Sequence, residues 1–422
     1  MTKFRYFIPK SKIQNPKSLL IALACLFIYG GAGAQTPTPL SLTDAIRIAR
    51  AGSPLGLAGQ QRVLAAGSRL RGAGLFDNAT LTLAAPFGRD TSQLDSPLII
   101  SQLIPLGDKI RQRIHAARAD FGTSRYDFAG TSADLTLNAQ MAYFEALRAE
   151  TERKLALETL ANAQAFADAA QLQYTAGDVA RSNVVRSRIE LTRAQQTLLT
   201  AQTDSENRLA TTRSLLGLPA NTPIILTDAL TYTPAKYDLP TLQILALRNR
   251  PELRSAQQTR EARLAALHLA RLLDTPDMFI EARHNSYRID AGGNSLRVGI
   301  ILPLFDYGRN RAEQKAAAAA LSEQDYVAAE SARIARLEVD TAYRNLERAR
   351  RAVEAFQGGR LDQSKELLEM AQTGYKNGAN SYLELLDAQN IYRSEQAEYV
   401  RAVASWNEAK ATLQRAVGGE LP

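Results

Sequence analysis

The chain has 422 residues, of which 45% are hydrophobic and 22% are charged, and its formal net charge is +8. This hydrophobic content is enough for a folded core and excludes a compositionally disordered chain. The single cysteine excludes a disulfide framework, and three dispersed histidines with that cysteine cannot form a zinc finger. The positive charge would indicate a nucleic-acid partner only if it belonged to the mature protein.

The first 34 residues have the three parts of a secretory signal peptide. Residues 1–17 contain five Lys or Arg residues and no acid, and the 11 residues from Leu19 to Tyr29 are all apolar. Ala32 to Ala34 then provide a small-residue cleavage site. The apolar run is too short for a transmembrane helix, which needs about 20 residues. We therefore interpret residues 1–34 as a signal peptide.

Removal of this segment changes the meaning of the composition. The net charge falls from +8 to +3, because five basic residues and no acid are removed, so no nucleic-acid partner is expected. Cys25, the only cysteine, lies inside the apolar run, which continues beyond it. This position favours a signal peptide over a lipoprotein anchor. The predicted mature chain is an exported protein without cysteine.

The rest of the chain contains one internal duplication. Residues 41–61 match residues 238–258 at an offset of 197, and residues 104–113 match residues 302–311 at an offset of 198. Further matches follow in order at offsets that rise to 201: Ala142-Tyr143 with Ala342-Tyr343, Tyr174 with Tyr375, Gly177 with Gly378, and Gly217 with Gly418. Such ordered matches indicate two copies of a unit of about 200 residues.

The matches define the expected domain organisation. Repeat 1 covers residues 35–217, a proline-containing linker covers residues 218–238, and repeat 2 covers residues 239–418. Each repeat begins with a helical stretch, 41–73 or 239–273, in which Pro54 or Pro251 predicts a kink or break. Two short segments with strand character follow in each repeat, at about 79–87 and 96–104 and at about 277–289 and 295–302. Taken alone, these strand pairs favour an ordinary β-hairpin of a soluble domain.

A long helical region completes each repeat. Ala335, Ala342, Ala349 and Phe356 recur every seven residues, and Val339, Leu346 and Val353 follow the first three by four residues, which is a heptad seam. Repeat 1 has a similar seam at Leu135, Ala139, Ala142, Ala146 and Ala149. A two-stranded dimeric coiled coil would favour larger side chains at these positions, whereas alanine suits helices with several neighbours.

Glycines predict a sharp turn in each helical region. Gly177 and Gly378 are typical helix-ending residues, and helical periodicity resumes after each of them. Each repeat is therefore expected to form an antiparallel α-hairpin, over about 107–216 in repeat 1 and about 307–417 in repeat 2.

This combination of features resembles the TolC family of outer membrane factors. The most specific segments are the doubled IPLGD and LPLFD junctions and the C-terminal YKNGANSYLELLDAQNIYRSEQAEYV. The sequence around IPLGDKIRQR further resembles the heavy-metal, CzcC-like subgroup. The resemblance covers essentially the whole mature chain.

The resemblance implies a fold and a function. The fold is mainly α with a small β part, and a homotrimer forms a 12-stranded β-barrel in outer membrane lipid that continues as an α-helical periplasmic tunnel. The implied function is a passive exit duct fed by an inner-membrane pump, of the RND type, and a periplasmic adaptor. No cofactor, no protein-bound metal and no enzymatic activity are expected.

The resemblance also assigns residues by position. Glu384 and Asp387 match the acidic rings that narrow the periplasmic aperture. Ser182, Asn183, Tyr375 and Asn380 match a latch between the hairpins, although Asn183 stands where an acid is usual and Asn380 where an arginine is usual. The latch is therefore expected to use neutral hydrogen bonds. The implied adaptor contacts are Gly177, Asp178, Gly378 and Ala379, and the strand-to-helix junctions are Pro105, Asp108, Pro303 and Asp306.

Three alternatives remain open at this point. An exported structural coiled coil would explain the helices but not two matched strand pairs. A periplasmic adaptor would need one α-hairpin flanked by strand-rich domains, whereas this chain has two hairpins and few strands. A channel for drug efflux or type I secretion would have the same sequence features as a channel for heavy metals.

Overall fold

The computed structural model describes residues 38–83, 98–177, 179–284 and 293–422, and the described chain is mainly helical with a small β part. The strands are β1 (Thr38–Leu40), β2 (Thr80–Leu83), β3 (Leu98–Pro105), β4 (Ile224–Leu226), β5 (Asp277–His284) and β6 (Asn294–Ile301). The α-helices are α1 (Leu42–Gly52), α2 (Pro54–Ala73), α3 (Lys109–Ala176), α4 (Arg181–Leu215), α5 (Leu239–Asn249), α6 (Pro251–Arg271), α7 (Arg309–Ala355), α8 (Leu361–Lys376) and α9 (Tyr382–Val417).

Some predicted features lie outside the described residues. These are the signal peptide over 1–34, Asp178, and the parts of the predicted strands at 84–87, 96–97 and 285–289. Within the described residues, no helix combines the length and apolar character needed to cross a membrane.

Each repeat begins with a pair of helices separated at a proline. Pro54 and Pro251 are the first residues of α2 and α6, where the missing amide hydrogen leaves no helical hydrogen bond unmade. The preceding helices begin with side-chain caps, because Ser41 accepts a hydrogen bond from the Asp44 amide and Asp238 accepts one from the Thr241 amide. The break predicted at both prolines is confirmed.

The strands of both repeats join in one antiparallel sheet. Its order is β2-β3-β5-β6, so β3 of repeat 1 pairs directly with β5 of repeat 2. A second, two-stranded parallel sheet pairs β1 with β4 and ties the N-terminal segment to the linker. In the described part of the chain, β2 and β6 each have a strand partner on one side only.

The α-hairpins are α3 with α4 in repeat 1, and α7 and α8 with α9 in repeat 2. The predicted seam of repeat 2 is confirmed, since all seven of its residues are buried. In repeat 1, Leu135, Ala139, Ala146 and Ala149 are buried as predicted, but Ala142 is only partly buried and the adjacent Tyr143 enters the core instead.

The largest cluster of buried side chains, here called the main core, lies where α5, α7 and α9 pack together. Its larger members are Leu242, Leu346, Trp406 and Leu413. A much smaller group, here called the tip cluster, lies near the hairpin turn of repeat 2 and consists of Ala371, Leu385 and Ala388. The two clusters are therefore at different levels of the same hairpin.

The first helix of the α-hairpin is interrupted in repeat 2 but not in repeat 1. A π-helical turn, Phe356–Arg360, separates α7 from α8 and contains a kink, because the backbone of Gly359 within it is non-helical, with a φ of 112°. At the same level of repeat 1, α3 is an unbroken helix of 68 residues.

Candidate functional site

The four-stranded sheet has one mostly apolar face and one mostly polar face. Successive side chains of a strand point to opposite faces, and the register aligns like with like across the sheet. The mostly apolar face carries Leu81, Leu83, Leu98, Ile100, Ile104, Met278, Ile280, Ala282, Leu296, Val298 and Ile300, together with the polar Gln102, His284 and Asn294. The opposite face carries Thr80, Thr82, Ser101, Glu281, Arg283, Ser295 and Arg297, together with Ile99, Leu103 and Phe279.

Charged groups on the polar face are paired across strands. Arg297 of β6 forms an ion pair with Glu281, which is directly opposite it on β5. Nearer the helices, the ring of Phe279 lies over Gly299, where any added Cβ atom would fall 2.5 Å from the ring. Gly299 is therefore required for this close approach.

The two strand-to-helix junctions use different contacts. In repeat 1, β3 ends at Pro105, and the Asp277 carboxylate accepts hydrogen bonds from the Leu106 amide at 3.2 Å and from Lys109 Nζ at 2.8 Å. Asp108 precedes α3 but its side chain makes no capping hydrogen bond. The first junction is thus fastened to the first strand of repeat 2.

In repeat 2, the aspartate itself organises the junction. Pro303 follows the end of β6, and the Asp306 carboxylate accepts hydrogen bonds from the backbone amides of Gly308 at 3.1 Å and Asn310 at 2.9 Å. These two bonds hold the pKa of Asp306 below its usual value. The sequence match between Asp108 and Asp306 therefore does not extend to their hydrogen bonds.

At the opposite end of the helices, each hairpin turns at a glycine with a left-handed backbone. Gly177 has a φ of 87° and Gly378 a φ of 74°, and the amides of both bond back to carbonyl groups of the preceding helix. The Ala379 amide donates to the Gly374 carbonyl at 2.8 Å, which closes the second turn. A residue with a side chain would be strained at either glycine.

Tyr375, the predicted latch tyrosine, has a different partner from the ones that the resemblance implied. The Tyr375 hydroxyl donates to Oε1 of Gln173 on α3 at 3.1 Å, rather than to Ser182 or Asn183. Ser182 and Asn183 lie in the first turn of α4, where the Asn183 amide donates to the Ala180 carbonyl. Gln173 carries no distinguishing sequence signal, because glutamine occurs along all the long helices.

Asn380 and Glu384 stabilise the second turn itself. The Asn380 side chain packs against Gly374, where an added Cβ atom would fall 2.5 Å from it, and the Asn380 amide donates to the Gly374 carbonyl. Glu384 forms a capping box with Ser381 at the start of α9. Asp387, three residues later, is exposed. The predicted aperture acids therefore differ in that only Glu384 also caps a helix.

The two hairpins are linked at several levels, and each link uses α3. Arg415 Nε donates to Asp134 at 2.7 Å, and Arg401 Nε donates to Glu152 at 2.8 Å. Lower down, Phe166 packs against the tip cluster, and the Tyr375–Gln173 bond lies beyond it. The hairpin of repeat 2 is thus held against one unbroken helix of repeat 1.

Comparison with known proteins gives a consistent result. The family model of the outer membrane efflux protein matches residues 44–218 and 243–419. The chain belongs to the outer membrane efflux protein family. It is accordingly an efflux channel of the outer membrane, and the expected family relationship is confirmed.

The individual relatives have low sequence identity to this chain, but each match covers most of both chains. The chain is 25% identical to the pyoverdine export outer membrane protein OpmQ of Pseudomonas putida, over 78% of this chain and 72% of that protein. It is 24% identical to the cobalt-zinc-cadmium resistance protein CzcC of Cupriavidus metallidurans, over 78% and 77% of the two chains. The crystal structure of CusC has the same fold, with a TM-score of 0.73 at 18% identity over 93% of this chain and 96% of that chain.

Proposed function

We propose that three copies of this chain form one continuous exit duct. The observation that carries this proposal is the four-stranded sheet, which has one mostly apolar and one mostly polar face. An amphipathic four-stranded sheet whose edge strands, β2 and β6, have no second strand partner among the described residues can pair edge to edge with further copies. Two copies would supply eight strands, and the interior of an eight-stranded barrel is filled by side chains. A duct that is open to solutes therefore needs at least three copies, which give 12 strands.

In this assembly the apolar face contacts outer membrane lipid and the polar face lines the lumen. Leu296 and Ser295 are neighbours on β6 with opposite orientations, so they provide a matched test. Leu296→Arg should reduce the amount of inserted protein, because a charge facing lipid costs up to about 2–4 kcal/mol per chain, depending on its depth in the bilayer. Ser295→Arg should insert normally. Equal amounts of both variants in the outer membrane fraction would contradict the assigned faces.

The oligomeric state can be measured directly. Native mass spectrometry of the detergent-purified full-length protein should show three copies, and planar bilayers containing it should carry discrete current steps. A monomeric or dimeric protein, or a trimer without conductance, would refute the duct.

We further propose that the hairpin turns form the periplasmic aperture. Glu384 and Asp387 then become rings of three carboxylates, which favour cations. Glu384→Gln isolates the charge, because glutamine also serves in a capping box. The variant combined with Asp387→Asn should lower the cation preference of the current, measured as the reversal potential in a salt gradient. An unchanged reversal potential would remove these residues from the aperture.

The latch is proposed to include Tyr375 and Asn380, with Gln173 in place of the partners first expected. Tyr375→Phe combined with Asn380→Ala should raise the conductance of the resting channel. Unchanged conductance would show that these residues are not the latch.

The proposed partners are a periplasmic adaptor and an inner-membrane pump of the RND type. Single cysteines placed at 175–184 and 376–383, which contain Gly177, Asp178, Gly378 and Ala379, should crosslink to the adaptor. Cysteines near the sheet serve as the control. Crosslinks confined to the control positions would overturn the proposed docking end.

The proposed cargo is a small solute, and the similarity to CzcC makes heavy-metal cations the first class to test. The similarity to OpmQ supports export of an organic molecule instead. A deletion strain should lose tolerance to cobalt, zinc or cadmium. Loss of resistance to dyes and antibiotics with intact metal tolerance would refute the metal proposal.

A further inference from the structure

The π-helical turn of repeat 2 marks one extra residue relative to repeat 1. Buried residues of α3 recur in strict sevens at Ala149, Ala156, Ala163 and Ala170. The matching stripe in repeat 2 is Ala349, Phe356, Ser364 and Ala371, so its middle step is eight residues. The offset between repeats therefore changes from 200 to 201 within the segment that contains the turn.

A helix absorbs one inserted residue as a π turn, and such turns often mark functional positions. Gly359 permits the kink in this turn, because its φ of 112° is a conformation that other residues rarely adopt. The adjacent Gly358 has no positive φ, and an added Cβ atom there would meet no atom within 4 Å. Only one glycine of the pair is therefore required by the backbone.

The turn also lies between the two buried clusters of the hairpin. Val353, just above it, is a member of the main core, and Leu368, below it, packs on the tip cluster. Across the hairpin, α9 is continuous at this level. If α9 bends, the backbone of the helix packed against it has to change its length at the same level. The extra residue in the π turn allows this change.

An arginine bridges the hairpin at the turn. Nη2 of Arg360 donates to Glu395 at 2.9 Å and to Glu398 at 3.0 Å, both on α9. The same guanidinium lies 4.7 Å from the centroid of the Phe356 ring, which in turn packs edge-on against Tyr399. These contacts hold the turn against α9 in the present conformation.

We propose that Phe356–Arg360 is an articulation, about which α8 and the adjoining part of α9 bend relative to the unbroken α3, and that the bridge formed by Arg360 restrains this bending. The consequence for opening of the aperture rests on the proposed duct function. The articulation itself does not depend on it.

Hydrogen–deuterium exchange of the assembled full-length protein tests the articulation. Amides at 357–362 should exchange on the order of tenfold faster than those at 157–162 of α3. Deletion of Gly359 should restore a regular helix and remove the difference, whereas Gly358→Ala should leave it unchanged. Equal exchange in the two segments of the unmodified protein, or no effect of the deletion, would overturn the proposal.

Planar-bilayer recordings of the same variants test the consequence for opening. Deletion of Gly359 should make open states rarer and Arg360→Gln should make them more frequent, with Gly358→Ala as the control. Unchanged opening in both variants would show that the articulation does not control the aperture. An unmodified protein without any current would refute the duct, while the exchange comparison would still decide the articulation.

A second variant covers failure of the deletion to assemble. Arg360→Gln keeps the chain length and should increase amide exchange over 361–376 while exchange over 109–155 stays constant. An unchanged pattern in this variant would likewise count against the articulation.

Discussion

The main core and the tip cluster are two levels of one hairpin with different kinds of packing. The main core buries Trp406, Leu242 and Leu346, with exposed fractions of 2% or less. The tip cluster buries only two alanines and one leucine, with Phe166 of the neighbouring hairpin and Tyr375 of its own hairpin packed against it. Because stabilisation grows with the apolar area buried, the tip is the level at which the hairpins separate most easily.

The largest effect should follow from removal of the main-core indole. Trp406 packs edge-on against Tyr232 with ring centroids 4.9 Å apart. Trp406→Ala should lower the free energy of unfolding by about 3–5 kcal/mol per chain. Leu383→Ala, at an exposed leucine near the tip, should change it by less than about 0.5 kcal/mol. Denaturant unfolding followed by circular dichroism would measure both, and similar losses would show that Trp406 contributes no more to stability than an exposed leucine.

A smaller effect should follow from removal of the ion pairs of Arg415, which lies near the main core on α9. Arg415 pairs with both Asp134 and Glu252, and its own side chain is largely buried. Arg415→Ala should cost about 1–3 kcal/mol, because it leaves Asp134 without its cation and leaves Glu252 with only the longer contact to Arg250, at 3.6 Å.

The same link predicts a pH dependence. Burial alone would raise the pKa of Glu252, but the hydrogen bond from Arg415 and the charges of Arg415 and Arg250 outweigh it and hold the pKa below its usual value. A lowered carboxyl pKa contributes stability above the unfolded value, and this contribution is lost as the pH falls through the folded value. Thermal unfolding between pH 7 and 3 should therefore be less acid-sensitive in Glu252→Gln than in a control with exposed Glu206→Gln. Identical profiles would contradict the link.

At the tip, the capping box should be worth about 1 kcal/mol to the start of α9. Ser381→Ala removes the side chain that accepts the Glu384 amide hydrogen. Amide exchange over the first turn of α9 should rise, while the main core stays protected. A loss of protection throughout α9 would mean that the two levels do not unfold separately.

The Tyr375–Gln173 bond should make a stability contribution comparable with that of the capping box. Tyr375→Phe and Gln173→Ala should each cost about 0.5–1.5 kcal/mol. Their effects should not add in the double variant, because both remove the same bond. Additive effects in a double-mutant cycle would show that the bond contributes no coupling.

The sequence predicts the elements that depend on local patterns. The heptad seam, the breaks at Pro54 and Pro251 and the glycine turns each have a short-range signal, and the structure contains them. The β3–β5 pairing has no such signal, because it joins segments that are far apart in the chain. For the same reason, the sequence match to Ser182 and Asn183 could not show that Gln173 bonds to Tyr375.

The π turn is an intermediate case. The pair Gly358-Gly359 is visible in the sequence, but glycine pairs also occur in regular helices and loops. The change in repeat offset from 200 to 201 narrows the insertion only to the interval between Tyr143 and Tyr174 of repeat 1. The buried stripe, which requires coordinates, places it at the turn.

The β3–β5 pairing gives the proposed trimer a pseudo-sixfold character. Within one chain it joins two repeats side by side, as β6 and β2 would join two chains, so six similar hairpins surround one axis. Six separate copies of one repeat would all have to share every change. Because two repeats are joined in each chain, the two hairpins can differ in sequence. Here the hairpin of repeat 1 has an unbroken helix, while the hairpin of repeat 2 has one residue more. The duplication thus allows the hairpin of repeat 1 to act as a rigid support while the hairpin of repeat 2, at an otherwise equivalent position around the axis, bends.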